Sequence, residues 1–315
     1  MKNLKLITAL VLVLTMAFCA TAGMAEGILA GKTVGFAQTD SMSSWRTTET
    51  DSIKEYVENA GGTFIVKDAG GDIATQATDV SDLVAANVDY LVVAPLEDYG
   101  LQDVLEEAMS VGIPVILVDR AIDGEAGVHY TTAIMSDFLW EGEQCAKAVM
   151  AAKPEGANIV IINGGYDSST STDRQDGFVN ALTENYKIVA EQDGSWLMDK
   201  AQSVMENIIQ AQGGENIDVV YSVTDDMIQG AKNAIEAAGL VPGVDILTVG
   251  IDGTRAAFED IAAGKQLASC TCTPYFGPIV LDTITKLENG ETVETLIVNP
   301  DTLYTKDNVV VELGF

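Results

Sequence analysis

The sequence predicts an α/β fold built on parallel sheets. Three observations carry that expectation. Runs such as YLVVAP, IPVILVD and NIVIIN are continuously apolar, as strands buried on both faces of a parallel sheet are. Between them lie apolar stripes at helical spacing that end on glycine. The strand–helix unit recurs every ~25–35 residues, the length of a βαβ unit.

Nine strands are expected in order: Thr33–Ala37, Thr63–Lys67, Tyr90–Ala94, Pro114–Val118, Asn158–Ile162, Lys187–Gln192, Val219–Ser222, Ile246–Ile251 and Leu267–Thr273. Ile53, Val57 and Ala60 form one helical stripe, closed by Gly61-Gly62. Val104, Leu105, Ala108 and Val111 form a second, closed by Gly112, and Ala231, Ala234, Ile235 and Ala238 a third, closed by Gly239. The alternation pauses near His129–Thr132, in DGEAGVHYTTAIMSD, before the helix Phe138–Ala152 opens a new series. A domain break is expected at that pause. No Pro/Ser-rich linker is present, so the halves must be joined by short structured crossings. The strands fit one wide sheet or two smaller ones.

Residues 1–25 read as a secretory signal peptide. Lys2 and Lys5 precede an apolar run, Leu6 to Phe18, with small residues and cleavage expected after Ala22 or Ala25. The run is too short to span a membrane. Cys19 raises the alternative of a lipidated cell-surface protein, but Phe18 stands where such a signal carries a small residue. The expected destination is export, to a periplasm. The formal net charge is −30, which repels nucleic acid and anionic lipid. Cys145, Cys270 and Cys272 remain after the leader, an odd number without a disulfide framework. With His129 the only histidine, a zinc site lacks ligands, and the thiols read as buried and free.

Catalytic patterns are missing. One histidine leaves little room for acid–base or triad schemes, and G-x-S-x-G, Walker and H-E-x-x-H motifs are absent. The first strand leads into GFAQTDSMSSW rather than a dinucleotide fingerprint. The oxygen-rich segment Asp167–Gly177 lacks the glycine and glutamate of a calcium loop and reads as a solvated turn with a helix cap.

The four arginines are more informative. Arg46, Arg120, Arg174 and Arg255 each follow an expected strand, at the end where open parallel sheets bind ligands. Arg255 is read as a surface residue, the commonest fate of any one arginine. Asp119 adjoins Arg120, and Asp252 ends a strand. Guanidinium donors beside carboxylate acceptors suit vicinal hydroxyls, which do both. Trp45 is placed to cover the apolar face of a sugar ring, with a core position as the equal alternative.

The segments VGFAQ…SSWRTTET, YLVVAPLED, IPVILVDRAID, DRQDGF, VYSVTDDMIQGAKNAIEAAGLVPGVDILTVGIDG and TPYFGP resemble, in order and spacing, the periplasmic sugar-binding proteins of ABC transporters. The resemblance is to the ribose/galactose type, and within it to the galactofuranose-binding members. It covers nearly the whole mature chain. It implies the type I periplasmic binding protein fold: two similar doubly wound parallel-sheet lobes joined by a three-crossing hinge. Residues 28–131 with 274–302 would form one lobe, and 132–273 with 303–315 the other.

Matched by motif, Ser43, Ser44, Trp45 and Arg46 correspond to sugar contacts of the first lobe. Asp119 and Arg120 correspond to the pair that grips ring hydroxyls, Arg174 to the second-lobe arginine, and Asp252 to the aspartate of the G-I-D-G turn. Two positions depart from the pattern. Thr224 stands where the family commonly has Asn, and Met42 where the galactofuranose-binding members have an acidic residue. The resemblance implies a monomer that closes on a monosaccharide, a pentose or hexose with furanose forms included, and delivers it to the membrane permease of an ABC importer. It implies no cofactor, no metal and no covalent chemistry. Three arginines against Asp119 and Asp252 put the expected cleft near +1, which suits a neutral sugar. A ligand-sensing module of the same fold is the alternative. A sugar isomerase or hydrolase is opposed by the scarcity of histidine, and a DNA-binding regulator by a leader where its helix-turn-helix would lie.

Overall fold

Strand pairing in the computed structural model, which describes residues 27–166 and 168–315, divides the chain between two six-stranded sheets. The expected leader and Cys19 lie outside the described residues. The first sheet contains β1 (Thr33–Gln38), β2 (Thr63–Asp68), β3 (Tyr90–Val93), β4 (Val115–Val118), β5 (Thr132–Ser136) and β11 (Leu296–Asn299), in the order β11-β5-β4-β3-β1-β2. The second contains β6 (Ala157–Asn163), β7 (Tyr186–Asp193), β8 (Val219–Ser222), β9 (Leu247–Asp252), β10 (Ala268–Thr271) and β12 (Leu303–Thr305), in the order β12-β10-β9-β8-β6-β7. All pairings are parallel except that of β12 with β10.

Continuous apolarity has the expected consequence: all four residues of β3, of β4 and of β8 are buried. In the first sheet Val34 and Phe36 pack with Ile53 and Val57 of α1 (Ser44–Asn59) and Val280 and Ile284 of α9 (Gly277–Glu288). The opposite face packs on Val80 and Leu83 of α2 (Ile73–Ala85) and Leu105 of α3 (Gln102–Ser110). Alternation along each strand thus feeds two apolar layers. The second sheet is flanked by α4 (Phe138–Ala152) and α5 (Ser169–Ala181), by α6 (Met198–Gln212) and α7 (Asp225–Ala237), and by α8 (Arg255–Ala263).

All nine expected strands are present, and three more were not anticipated: β5, β11 and β12. The segment TAIMS, read as part of a pause, pairs with β4 and closes the first sheet against β11. The break therefore falls after Ser136, not before Thr132. The chain passes between sheets three times: between Ser136 and Phe138, through Cys272–Phe276, and through Pro300–Thr302. The helix after TPYFGP packs on α1, in the first lobe. Among the described residues no helix is long and apolar enough to cross a membrane.

Candidate functional site

The carboxyl ends of both sheets face one cavity of about 930 Å³. Met42, Ser43, Ser44, Trp45, Arg46, Asp119, Arg120, Arg174, Thr224 and Asp252 all line it. Arg255 does not. It begins α8 with its side chain mostly in solvent, 3.8 Å from Glu259 one helical turn on.

The first-lobe half is built on the start of α1. Ser43 is its N-cap, accepting from Arg46 N at 3.2 Å, so this serine satisfies a helix-end donor as well as lining the cavity. Arg46 is buried between two carboxylates. Its Nη2 donates to Asp119 Oδ2 at 2.6 Å and its Nη1 to Glu49 Oε2 at 3.0 Å. Burial opposes its charge, but Asp119 and Glu49 hold its guanidinium above the ordinary value. Burial in turn pushes Glu49 up to about 7, with Asp119 adding to the rise and Arg46 opposing it. Gln38 Nε2 also donates to Glu49, at 2.9 Å. Arg120 donates to Leu96 O at 3.0 Å and lies 3.4 Å from Asp119. Burial and the neighbouring Arg46 pull it down to about 10. Its Nε is buried without a hydrogen-bond partner.

The second-lobe half is built on α4 and α5. Gly142 and Gly177 let these helices approach. A Cβ on Gly142 would lie 2.0 Å from Arg174 O, and one on Gly177 would lie 2.0 Å from Leu139 O. That approach brings Glu141 to Arg174. Arg174 Nε donates to Glu141 Oε2 at 2.7 Å and Nη1 to Val223 O at 2.9 Å, with Asp252 at 3.6 Å. Burial pushes Glu141 up to about 8 against the pull of Arg174, and raises Asp252 well above the carboxylate range. Thr224 caps α7, accepting from Met227 N at 3.3 Å.

Both strand-end aspartates adopt positive φ, 66° at Asp119 and 120° at Asp252. Such backbone is costly for a residue with a side chain and persists only where the surroundings impose it. Around Asp252 the surroundings are those of Asp225. Its buried carboxylate accepts from Gly253 N at 2.9 Å, Thr254 N at 3.0 Å and Ser269 Oγ at 2.7 Å.

Several expectations change. Thr170–Gly177, most of the segment read as a solvated turn, forms the first turns of α5, and Arg174 reaches the cavity from within the helix. The charge expected near +1 is reversed. Asp40, Glu97, Asp193 and Asp226 join Asp119 and Asp252, so six carboxylates face three arginines. Trp45 combines both of its anticipated roles. It lines the cavity, yet it is 9% exposed, donates from Nε1 to Cys272 O at 2.8 Å and meets Phe276 edge-on.

Sequence reasoning missed Glu49, Glu141 and Trp196. Trp196 enters the cavity from the second lobe, with the Arg120 guanidinium 5.4 Å from its ring centre and its own φ at 62°. Ser168 and Thr170 were missed as well. Their hydroxyls are buried without partners, and both residues line the cavity. The lobes also touch: Ser169 Oγ donates to Asp98 Oδ1 at 2.9 Å. The thiols of Cys145, Cys270 and Cys272 are buried and free.

Residues 34–292 match the family model of the periplasmic binding protein domain. The chain is 36% identical to the galactofuranose-binding protein YtfQ of Escherichia coli over 286 residues, which is 89% of this chain and 90% of that protein. Two solved structures are similar across 88–89% of the chain. One is the binding component of the arabinose ABC transporter of Shewanella sp. ANA-3, bound to α- and β-L-arabinofuranose. It has a TM-score of 0.85 and 33% identity, with 94% of that chain covered. The other, from Mycobacterium smegmatis in complex with β-D-fucofuranose, has a TM-score of 0.82 and 36% identity, with 92% covered.

Proposed function

The chain belongs to the periplasmic binding protein domain family, and from that premise we propose that it is an exported solute-binding protein that captures a monosaccharide in furanose form between its lobes. It then presents the sugar to the permease of an ABC importer. Galactofuranose, L-arabinofuranose and fucofuranose, which the similar proteins are named for or hold, support furanoses as the ligand class.

One observation supports this reading above the others. Polar side chains from both lobes line the same cavity: Arg46, Asp119 and Arg120 from the first, and Arg174, Thr224 and Asp252 from the second, with the buried, partnerless hydroxyls of Ser168 and Thr170 beside them. A sugar hydroxyl both donates and accepts, so it can satisfy arginine and carboxylate together. An anionic sugar would meet the excess of carboxylates. Trp45 and Trp196 offer apolar surface from opposite lobes to the C–H faces of the ring. Contacts from both sides give the closed form the differential affinity that hinge closure requires. Neither the cavity nor its residues need a chemical step.

A thermal-shift panel tests the reading. L-arabinose, D-galactose, D-fucose and D-ribose, with galactofuranosides beside them, are each added in excess to the mature protein. A ligand of the right class raises the melting temperature through RT ln(1 + [L]/Kd), about 2.7 kcal/mol at a hundredfold excess over Kd. Uniformly flat melting across the panel would reject it, and steady consumption of a sugar would point to an enzyme instead.

A further inference from the structure

We propose that Gln76, a buried residue of α2 that does not line the cavity, positions Arg120 for the ligand through the loop between β3 and α3. The consequence for sugar affinity rests on the function proposed above; the positioning of the arginine does not.

Arg120 is held differently from the other two arginines of the cavity. Arg46 donates to two carboxylates and Arg174 to one, and charged acceptors make the stronger bonds. The Arg120 side chain makes a single hydrogen bond among the described residues, from Nη1 to the neutral carbonyl of Leu96 at 3.0 Å. Its Nε lies 3.4 Å from Asp119, whose Oδ2 already accepts from Arg46, and has no hydrogen-bond partner. The aim of Arg120 therefore depends on a backbone carbonyl, and the aim of that carbonyl on what fixes the loop.

Leu96 stands three residues beyond the end of β3, with Pro95 before it. Pro95 has no N–H with which to pair. Gln76 restrains the chain there. It is wholly buried, its Nε2 donates to Ala94 O at 2.7 Å, and its Oε1 accepts from Leu96 N at 2.9 Å. One planar amide thus bridges Ala94 and Leu96 across the proline, as a neighbouring strand would. The far end of the loop is held as well. Asp98 O accepts from Asp123 N at 2.8 Å and from Gln102 Nε2 at 2.9 Å. Pinned at both ends, the loop keeps the Leu96 carbonyl facing the Arg120 guanidinium.

A buried amide also stabilises a fold simply by pairing with backbone groups. Two measurements separate positioning from that role. The first is arginine side-chain NMR on the full mature chain without sugar. Only four arginines occur, so the Nε–H spectrum is simple, and the Arg120 signal is the one absent from Arg120→Lys. Arg120 and Leu96 belong to one lobe, so the result does not depend on closure. In the wild type the Arg120 Nε–H order parameter should be that of a rigid site, about 0.85, and in Gln76→Met it should fall below about 0.6. Methionine fills the space without the two hydrogen bonds. Arg46 and Arg174, held by carboxylates, should keep their values. An unchanged Arg120 in folded Gln76→Met would overturn the proposal, and so would equal loosening of all three arginines. If Gln76→Met does not fold, Gln76→Asn decides by the same outcomes, because its amide is one carbon too short to bridge both groups.

Calorimetry with L-arabinose measures the consequence. Gln76→Met should weaken Kd about three- to tenfold, the net worth of a hydrogen bond. In an Arg120→Ala background the same substitution should cost less than about twofold, because no guanidinium remains to be positioned. The same loss in both backgrounds would overturn the route through Arg120. If L-arabinose does not bind the wild type, the thermal-shift panel decides the functional reading, and the arginine spectra still decide the positioning.

Discussion

The two halves of the cavity use the same parts in different balance. Each sets an arginine against a buried glutamate and an aspartate at a strand end with positive φ: Arg46, Glu49 and Asp119 in the first lobe, Arg174, Glu141 and Asp252 in the second. The first half adds a second cation, Arg120, and an amide donor, Gln38. With Asp40 and Glu97 in the first half and Asp193 and Asp226 in the second, both halves carry more carboxyls than arginines, and the second, with Arg174 alone, carries the larger excess. On the proposed function, sugar hydroxyls would supply donors to that excess, and the second lobe would gain more from closing.

Removing the arginines one at a time is the strongest way to break the comparison. Arg174→Ala leaves Glu141 and Asp252 without their cation. Breaking a buried pair in this way costs about 3–5 kcal/mol, read by urea unfolding. Arg46→Ala should cost less, about 2–3 kcal/mol, in the range of charged hydrogen bonds. Arg120 still faces Asp119, and Gln38 still donates to Glu49. Equal losses would show that the asymmetry has no energetic weight.

A smaller effect appears on titration. The folded Glu49 is raised from its ordinary 4.5 to about 7 by burial. The native state therefore holds this proton more tightly than the unfolded chain. Its share of stability is complete below about pH 4.5 and is lost as pH rises to about 7. Glu49→Gln cannot titrate, so its melting temperature should fall less over that interval than that of the wild type. Matching profiles would place the proton elsewhere.

Fluorescence sharpens the comparison with the least disturbance. Trp45 and Trp196 reach the cavity from opposite lobes, whereas Trp140 sits outside it on α4. If both rings meet the ligand, Trp45→Phe and Trp196→Phe should each remove part of a sugar-induced change, and Trp140→Phe none. Trp45→Phe also removes the bond to Cys272 O, so it alone should lower stability, by about 1–3 kcal/mol for a buried carbonyl left without a donor.

Much of this site was legible in the chain, for identifiable reasons. The rare arginines stood out because only four occur, and three of them line the cavity. Continuously apolar strands announced a sheet buried on both faces. What was hidden depended on pairings across long sequence distance or on crowding by similar residues. Glu141 lies 33 positions from Arg174 and is one of 47 acidic residues, so nothing marked it. Glu49 had a weak signal, three residues after Arg46 on one helix face. Strand β11 pairs on one side only, is half exposed and offers only the short apolar run Leu296-Ile297-Val298, and β12 is three residues long, so neither stood out as a buried strand. Strand β5 was apolar but followed a turn-rich stretch that read as a boundary. The cleft's charge was misjudged because Asp40 and Glu97 reach the cavity from loops, Asp193 from the end of β7 and Asp226 from the start of α7, places that only the fold brings together.

The central claim is that one sugar is held from both lobes at once. Calorimetric titration of the wild type, Arg120→Ala and Thr170→Val with the best sugar of the panel tests it most directly, because these substitutions touch opposite lobes. The account predicts one sugar per chain for the wild type. It predicts weaker binding in both variants, by about 2 kcal/mol or more for Arg120→Ala and about 1 kcal/mol for Thr170→Val, with folding retained. Unchanged affinity in either variant would contradict it.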